Sequence, residues 1–315
     1  MRSSLFFAAA LLGLCANAAQ AQAPVTSADL AKAAQGRLVP FFTCLRENQI
    51  GVVSAHRGGH APGFPENALS TNRHTVGLVP VFLEGDVQVT KDGVLVLNHD
   101  DTLDRTSTGK GKISDQTWAE LKSVRLKDTQ GKVTDQGLAL FSDWLAFGKD
   151  KAILQVDLKP TTGDEKVVAA VRAAGAEDRV VYVTYTQEQA RHVLSLSPKT
   201  LVSLPVRNRA EFESHKAAGL MGPNVIAMLL PVKDDPALYG DVAATGAPIA
   251  DLGAMWGPDS ADARWTSAKD DELYLSRQTE FHAQIVPSDH ALRAGAAFQA
   301  SPDYRKRLAV CGVGS

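Results

Sequence analysis

Charge of one sign, long apolar runs and aromatic side chains are all scarce in this sequence. Its 33 Lys and Arg stand against 35 Asp and Glu among 315 residues, and both signs are mixed along the chain. That balance leaves no basic footprint for nucleic acid or for an anionic membrane surface. Aromatic residues make up 6%. Beyond the N-terminus, no segment is apolar enough to supply the roughly 20-residue span of a membrane helix. No low-complexity stretch and no repeat with a period of about 20–50 residues is present, which argues against a solenoid or array. A phosphate-cradling G-x-x-x-x-G-K-[ST] loop is missing too. Thr106–Lys112 has the residue types but not the spacing, and is expected to act as a lid.

What is there begins at the first residues. Arg2, an apolar run from Leu5 to Leu14, and Ala19-Gln20-Ala21 read as a secretory signal peptide over 1–21. Cleavage after Ala21 is preferred, because a cut after Ala23 would place Pro24 directly behind it. A lipoprotein reading of Cys15 is weaker, since the bulky Leu14 precedes it. The expected protein is therefore exported, periplasmic or secreted. Removal of Cys15 leaves Cys44 and Cys311, an even pair that an oxidising compartment makes a disulfide candidate. The alternative is two unrelated thiols.

Short β-branched runs alternate with helix-forming segments. The expected strands are Ile50–Ala55, Val81–Asp86, Ala152–Leu158, Val180–Thr184, Leu201–Leu204, Val225–Leu229, Ile249–Leu252 and Gln284–Val286. Most are nearly continuous apolar runs, as parallel strands covered by helices should be. Expected helices include Glu66–Val76, Asp164–Ala174, Gln187–Leu196, Ala210–Ala218, Ala237–Ala244 and Asp270–His282. Eight βα units predict an α/β fold, a (β/α)8 barrel of the TIM type, over residues 49–300. An open, doubly wound sheet is the rival, but Gly58-Gly59 lacks the third spaced glycine of its first turn. Residues 22–48 are expected to be an N-terminal extension and 301–315 a C-terminal tail. Residues 87–150 form a small insertion after the second barrel strand, opening with a hairpin signal at Lys91-Asp92-Gly93. A barrel puts such an insertion on the face where chemistry occurs.

Polar residues gather at the ends of the first three strands. His56 and Arg57 follow the first. Glu84 and Asp86 are two apart in the second and share a face; Gln155, Asp157 and Lys159 share one in the third. Outward positions lie under helices, so these faces look into the barrel mouth. Three carboxylates buried there without partners would be strongly unfavourable, and one divalent cation resolves the cost. An all-oxygen set suits Ca²⁺ or Mg²⁺. The competing reading is salt bridging of Glu84 and Asp86 to Arg57 and Lys159 with no metal. His99, beside Asp100, joins His56 as a second imidazole, so that one can accept a proton while the other donates one. His60 and His74 are expected to be structural or solvated, and Glu66 and Asn67 to cap and start the first barrel helix, with Glu66 alternatively reaching the groups around the metal. Trp256 is expected either at the mouth or packed on a helix.

Five motifs in order then carry a resemblance. His56-Arg57-Gly58, Pro65-Glu66-Asn67, Glu84-Gly85-Asp86, Thr90-Lys91-Asp92-Gly93 leading to His99-Asp100, and Leu103-Asp104-Arg105-Thr106 with Gly109 and Gly111 resemble the glycerophosphodiester phosphodiesterase family. That family sits in the TIM-barrel superfamily of phospholipase-C-like phosphodiesterases. The strong similarity spans roughly Val52 to Lys127. It implies His56 and His99 as the acid–base pair, Arg57 and Lys159 as phosphate-side cations, and Glu84, Asp86 and Asp157 as ligands of one Ca²⁺ or Mg²⁺. The substrate implied is a small glycerophosphodiester, hydrolysed through a cyclic phosphate to glycerol phosphate and an alcohol. Two departures stand out: the third ligand is Asp157 where the family usually has Glu, and Thr184-Tyr185 stands where Ser-Phe is common. Asp157-Leu158-Lys159 also resembles sphingomyelinase D enzymes, which cleave phospholipids by a related cyclising step. A non-catalytic exported phosphodiester-binding protein is the third reading.

Overall fold

The computed structural model describes residues 23–230, 235–268 and 270–314; the signal segment expected at 1–21 lies outside them. Two helices open the described chain, α1 (Ser27–Ala34) and α2 (Leu38–Glu47). Both fall in the segment expected only as an extension. Then come β1 (Val52–Ala55), α3 (Leu69–Val76), β2 (Val81–Val89) and β3 (Leu95–Leu97). Within the insertion lie α4 (Trp118–Leu121) and α5 (Phe141–Gly148). The regular alternation then runs β4 (Leu154–Leu158), α6 (Asp164–Ala173), β5 (Val180–Val183), α7 (Gln187–Leu196), β6 (Leu201–Val206) and α8 (Arg209–Ala217). It continues through β7 (Val225–Leu229), α9 (Pro236–Ala244), β8 (Ile249–Asp251), α10 (Ala261–Ala268) and α11 (Glu272–Thr279). The chain finishes with β9 (Ile285–Ser288), α12 (Ala291–Ala300) and α13 (Tyr304–Val310).

The strand order β1-β9-β8-β7-β6-β5-β4-β2 closes on itself through β1–β2, giving eight parallel strands in a barrel. β3 pairs antiparallel with the far half of β2, Val87 opposite Leu97. This pairing explains why β2 runs to Val89, three residues beyond the expected end. Leu103, Ile113, Leu121 and Leu126 form a separate small core under the insertion.

Local chemistry sets the boundaries. Thr186 caps α7 by accepting from the Gln189 amide, and Asn208 caps α8 by accepting from the Glu211 amide. Barrel strands are buried on both faces, so they read as apolar runs. Gly85 lets Trp144 lie flat against β2, since a Cβ there would stand 3.0 Å from the indole ring. Trp144 is fully buried and donates from Nε1 to Asn72 Oδ1 at 3.0 Å.

α1 and α2 cover the N-terminal end of the barrel. The Ser27 hydroxyl accepts from the Val81 amide and donates to the Val79 carbonyl, and Phe42 packs 5.4 Å from Phe82. Cys44 on α2 is joined to Cys311 just after α13 by a disulfide. No helix among the described residues is long and apolar enough to cross a membrane.

Candidate active site

β1 delivers His56 and Arg57 into a single 3-10 turn. Arg57 is left-handed, with φ 51° and ψ 32°, a conformation costly for a residue with a side chain. Two hydrogen bonds hold it. Its amide donates to Glu84 Oε2 at 2.7 Å, and its carbonyl accepts from the Asn67 amide at 2.9 Å. Gly58 continues at φ +84°, where a Cβ would meet Asn72 at 2.8 Å. The turn leaves His56 Nδ1 at 2.6 Å from Asp289 Oδ1, just beyond β9.

Glu84, Asp86 and Asp157 converge. Each offers an oxygen within 4.8 Å of the others. The cause is register: β2 pairs with β4 so that Asp86 lies opposite Asp157, and Glu84 is two residues back on the same face. Lys159 Nζ bridges two of them, 2.7 Å from Asp86 and 2.6 Å from Asp157. Asn67 donates to Asp86 at 2.8 Å, and the Tyr185 hydroxyl donates to Asp157 at 2.7 Å.

Burial and the neighbouring charge of Asp86 push the Glu84 carboxyl up to about 8, against the opposing pull of His56. Asp86 is also penalised by burial, but Lys159, His99 and Asn67 outweigh it and bring it to about 2. Asp157 is raised, by burial and then by Asp86. One lysine cannot keep three buried carboxylates ionised. The donor set is all oxygen and over-rich in negative charge, which fits a hard divalent cation.

On the other flank, His99 Nδ1 lies 2.7 Å from Asp100 Oδ1. Arg105 grips Asp100 at 2.7 and 2.9 Å and forks Glu66 at 2.8 Å twice. Glu66 in turn accepts from Arg57 Nη1 at 3.2 Å. Glu66 and Asp100 are both held below the usual carboxylate range. Burial opposes this at Glu66 but loses to Arg105 and Arg57; at Asp100 the Arg105 hydrogen bonds lead. Arg57 Nε is buried and pairs with Asp86 Oδ2 at 3.9 Å without a hydrogen bond, a donor suited to a phosphoryl oxygen.

The structure thus brings His56, Arg57, Glu84, Asp86, His99, Asp157 and Lys159 to one end of the barrel. One expectation needs correction. Glu66 and Asn67 do not cap α3, which starts at Leu69 behind Ala68 with no side-chain cap. They turn inward instead, to the two arginines and to Asp86. His60 is part-buried beside the site, its Nε2 3.7 Å from Asp289 and its ring 6.3 Å from that of His56. His74 does stack structurally, on Phe64 at 3.8 Å. Trp256 stands at the mouth, its ring 6.4 Å from that of His56. In the Thr106–Lys112 loop, Thr106 and Ser107 are buried and bonded to Asn98 and Leu103, and Lys110, Gly111 and Lys112 are exposed.

Asp289, Arg105 and Tyr185 were not singled out by sequence reasoning as site residues. A signal for Asp289 existed. A carboxylate directly after a barrel strand faces the mouth, but ending the last strand at Val286 hid it.

A closed parallel (β/α)8 barrel thus carries this acidic trio, two cations and two carboxylate-backed imidazoles at its strand ends. Residues 56–210 match the model of the glycerophosphoryl diester phosphodiesterase family, and the chain belongs to that family. A glycerophosphoryl diester phosphodiesterase from Parabacteroides distasonis superposes with a TM-score of 0.73 at 25% identity, covering 90% of this chain and 97% of that one. An Oleispira antarctica phosphodiesterase, solved with its product sn-glycerol-3-phosphate, shares the fold at 19% identity and a TM-score of 0.62, over 81% of this chain and 99% of that one. In sequence, a glycerophosphodiester phosphodiesterase of Caldanaerobacter subterraneus subsp. tengcongensis is 28% identical over 160 residues; the match spans 49% of this chain and 65% of that relative.

Proposed function

We propose that this protein is an exported, divalent-cation-dependent hydrolase of glycerophosphodiesters, releasing glycerol phosphate and an alcohol. The observation that carries the reading is the convergence of three carboxylates within 4.8 Å, flanked by two imidazoles that each rest on an aspartate. The names of the relatives support it, as does the product held by the Oleispira enzyme.

Glu84, Asp86 and Asp157 would hold Ca²⁺ or Mg²⁺, which supplies positive charge to the phosphoryl oxygens. Arg57 adds its Nε donor and Lys159 its ammonium to the same oxygens. One imidazole takes the proton of a glycerol hydroxyl, whose oxygen attacks phosphorus. The other protonates the departing alcohol as its P–O bond breaks. The cyclic phosphate is then opened by water with the two roles reversed. Asp289 and Asp100 fix the tautomers, each engaging an Nδ1 and leaving Nε2 for the substrate.

The test is turnover of glycerophosphocholine with Ca²⁺, with Mg²⁺ and with chelator. Chelation should abolish activity, and His56→Ala or His99→Ala should lower kcat by about 100-fold or more. Full activity in chelator would overturn the reading. Phosphorus NMR of the products separates a hydrolase from a lyase that stops at the cyclic ester. Export is tested by N-terminal sequencing of the secreted protein, which should begin at Gln22.

A further inference from the structure

Asp157 is a short acid in a place that asks for reach. It lies on β4 opposite Val183 of β5 and is 6% exposed. Two residues beyond Val183, past the end of β5, Tyr185 brings its hydroxyl to 2.7 Å from both Asp157 oxygens. Lys159 Nζ takes Oδ2 at 2.6 Å and is shared with Asp86. Asp157 therefore has one charged donor, held in common with its neighbour, and one neutral donor of its own.

That neutral donor is itself fixed. The Tyr185 amide donates to Gln189 Oε1 at 2.9 Å, and Gln189 Nε2 donates to the Leu158 carbonyl at 3.3 Å and to Asp164 at 2.9 Å. Gln189 thus ties the Tyr185 corner to the residue that follows Asp157. The phenol meets the carboxylate from a set place, although Tyr185 is 36% exposed at the mouth.

The two ends of this bond are also the two departures from the family pattern, Asp157 for Glu and Thr184-Tyr185 for Ser-Phe. They meet in space. Loss of a methylene draws the carboxyl back toward β4, and the added hydroxyl extends a donor toward it. A carboxylate that ligates a cation needs its rotamer held, and a neutral donor does so without adding positive charge. The Lys159 ammonium serves that end less well, because it repels the ion that the three acids gather.

We infer that Tyr185 is a positioning residue for the cation site. Its hydroxyl takes up the length that Asp157 lacks and holds that carboxylate as third ligand beside Glu84 and Asp86. The inference rests on the divalent-cation reading above and deepens it.

The experiment is calorimetric titration of Ca²⁺ and of Mg²⁺ into wild type, Tyr185→Phe, Asp157→Glu and the double variant. Tyr185→Phe keeps the ring and removes the hydroxyl, and should weaken the cation by about tenfold to 100-fold. Asp157→Glu should also weaken it, since the added methylene drives the carboxyl into the phenol. Together the two changes should return Kd to within about threefold of wild type, whereas unrelated structural losses would add. Melting curves without cation show which variants fold; if Asp157→Glu does not, Tyr185→Phe decides alone. Wild-type affinity in Tyr185→Phe overturns the inference, and so does a double variant no better than Asp157→Glu. If wild type binds neither ion, the cation reading itself fails and takes the inference with it.

Discussion

Asp289 reaches His56 at 2.6 Å across 233 residues of sequence, joining the first strand of the barrel to the last. Burial by itself would lower the imidazole pKa. The Asp289 hydrogen bond leads in reversing that, helped by the Asp289 charge and by Glu84 where it is ionised, and the pKa is raised. His56 therefore holds its proton to higher pH than a free histidine.

Asp289→Asn removes that charge and lets burial dominate. The limb of the kcat/KM profile that reflects loss of the His56 proton should move to lower pH, with kcat down on the order of tenfold or more. The same pairing stabilises the fold below about pH 6.5, and its contribution fades as pH rises through the raised folded-state value. Paired pH–rate and pH–denaturation curves check both signs. An unmoved alkaline limb would show that Asp289 does not tune His56.

Arg105 touches neither imidazole, yet it holds the carboxylate of His99 and the glutamate of Arg57 together. Arg105→Ala should lower kcat/KM by about tenfold to 100-fold, and Arg105→Lys should rescue little, because an ammonium cannot fork two carboxylates. Steady-state kinetics with a melting curve separates this from simple unfolding. Full activity in Arg105→Ala would leave the arginine only a structural part.

Cation binding should release protons. Glu84 sits near 8, so at pH 7 it is mostly protonated in the cation-free protein. Ligation needs the carboxylate, and close to one proton per cation should leave. Calorimetry in buffers of different ionisation enthalpy counts it. Asp157→Asn should weaken the cation by about tenfold to 100-fold and erase most of its effect on Tm.

The Cys44–Cys311 bridge closes a loop of 267 residues at the end of the barrel away from the mouth. Cys44→Ser/Cys311→Ser should lose up to about 5 kcal/mol of stability while keeping kcat at moderate temperature. Denaturant titration and an activity assay on the same sample test this.

Much of the barrel was legible in the sequence because parallel strands buried on two faces must be apolar runs. Val225–Leu229 and Gln187–Leu196 match residue for residue. The carboxylate trio was legible for a related reason: period-two spacing in Glu84–Asp86 and Asp157–Lys159 fixes a face. What stayed hidden depends on contacts between distant segments. Nothing near Asp289 in sequence names His56 as its partner. Glu66 looked like a helix cap because capping and charge pairing draw on the same residue types. The helices α1 and α2 lacked a strand pattern to frame them, though Phe41, Phe42 and Leu45 are fully buried.

Arg57 and Glu84 share a bond that ties backbone to side chain: the strained turn presents its amide to a carboxylate of the acidic trio. The anion-gripping loop and the ion-holding strand are consequently one part. Anyone transplanting this chemistry into another barrel would have to graft the left-handed corner along with the acids, since the acids alone would arrive without the donor that orients them.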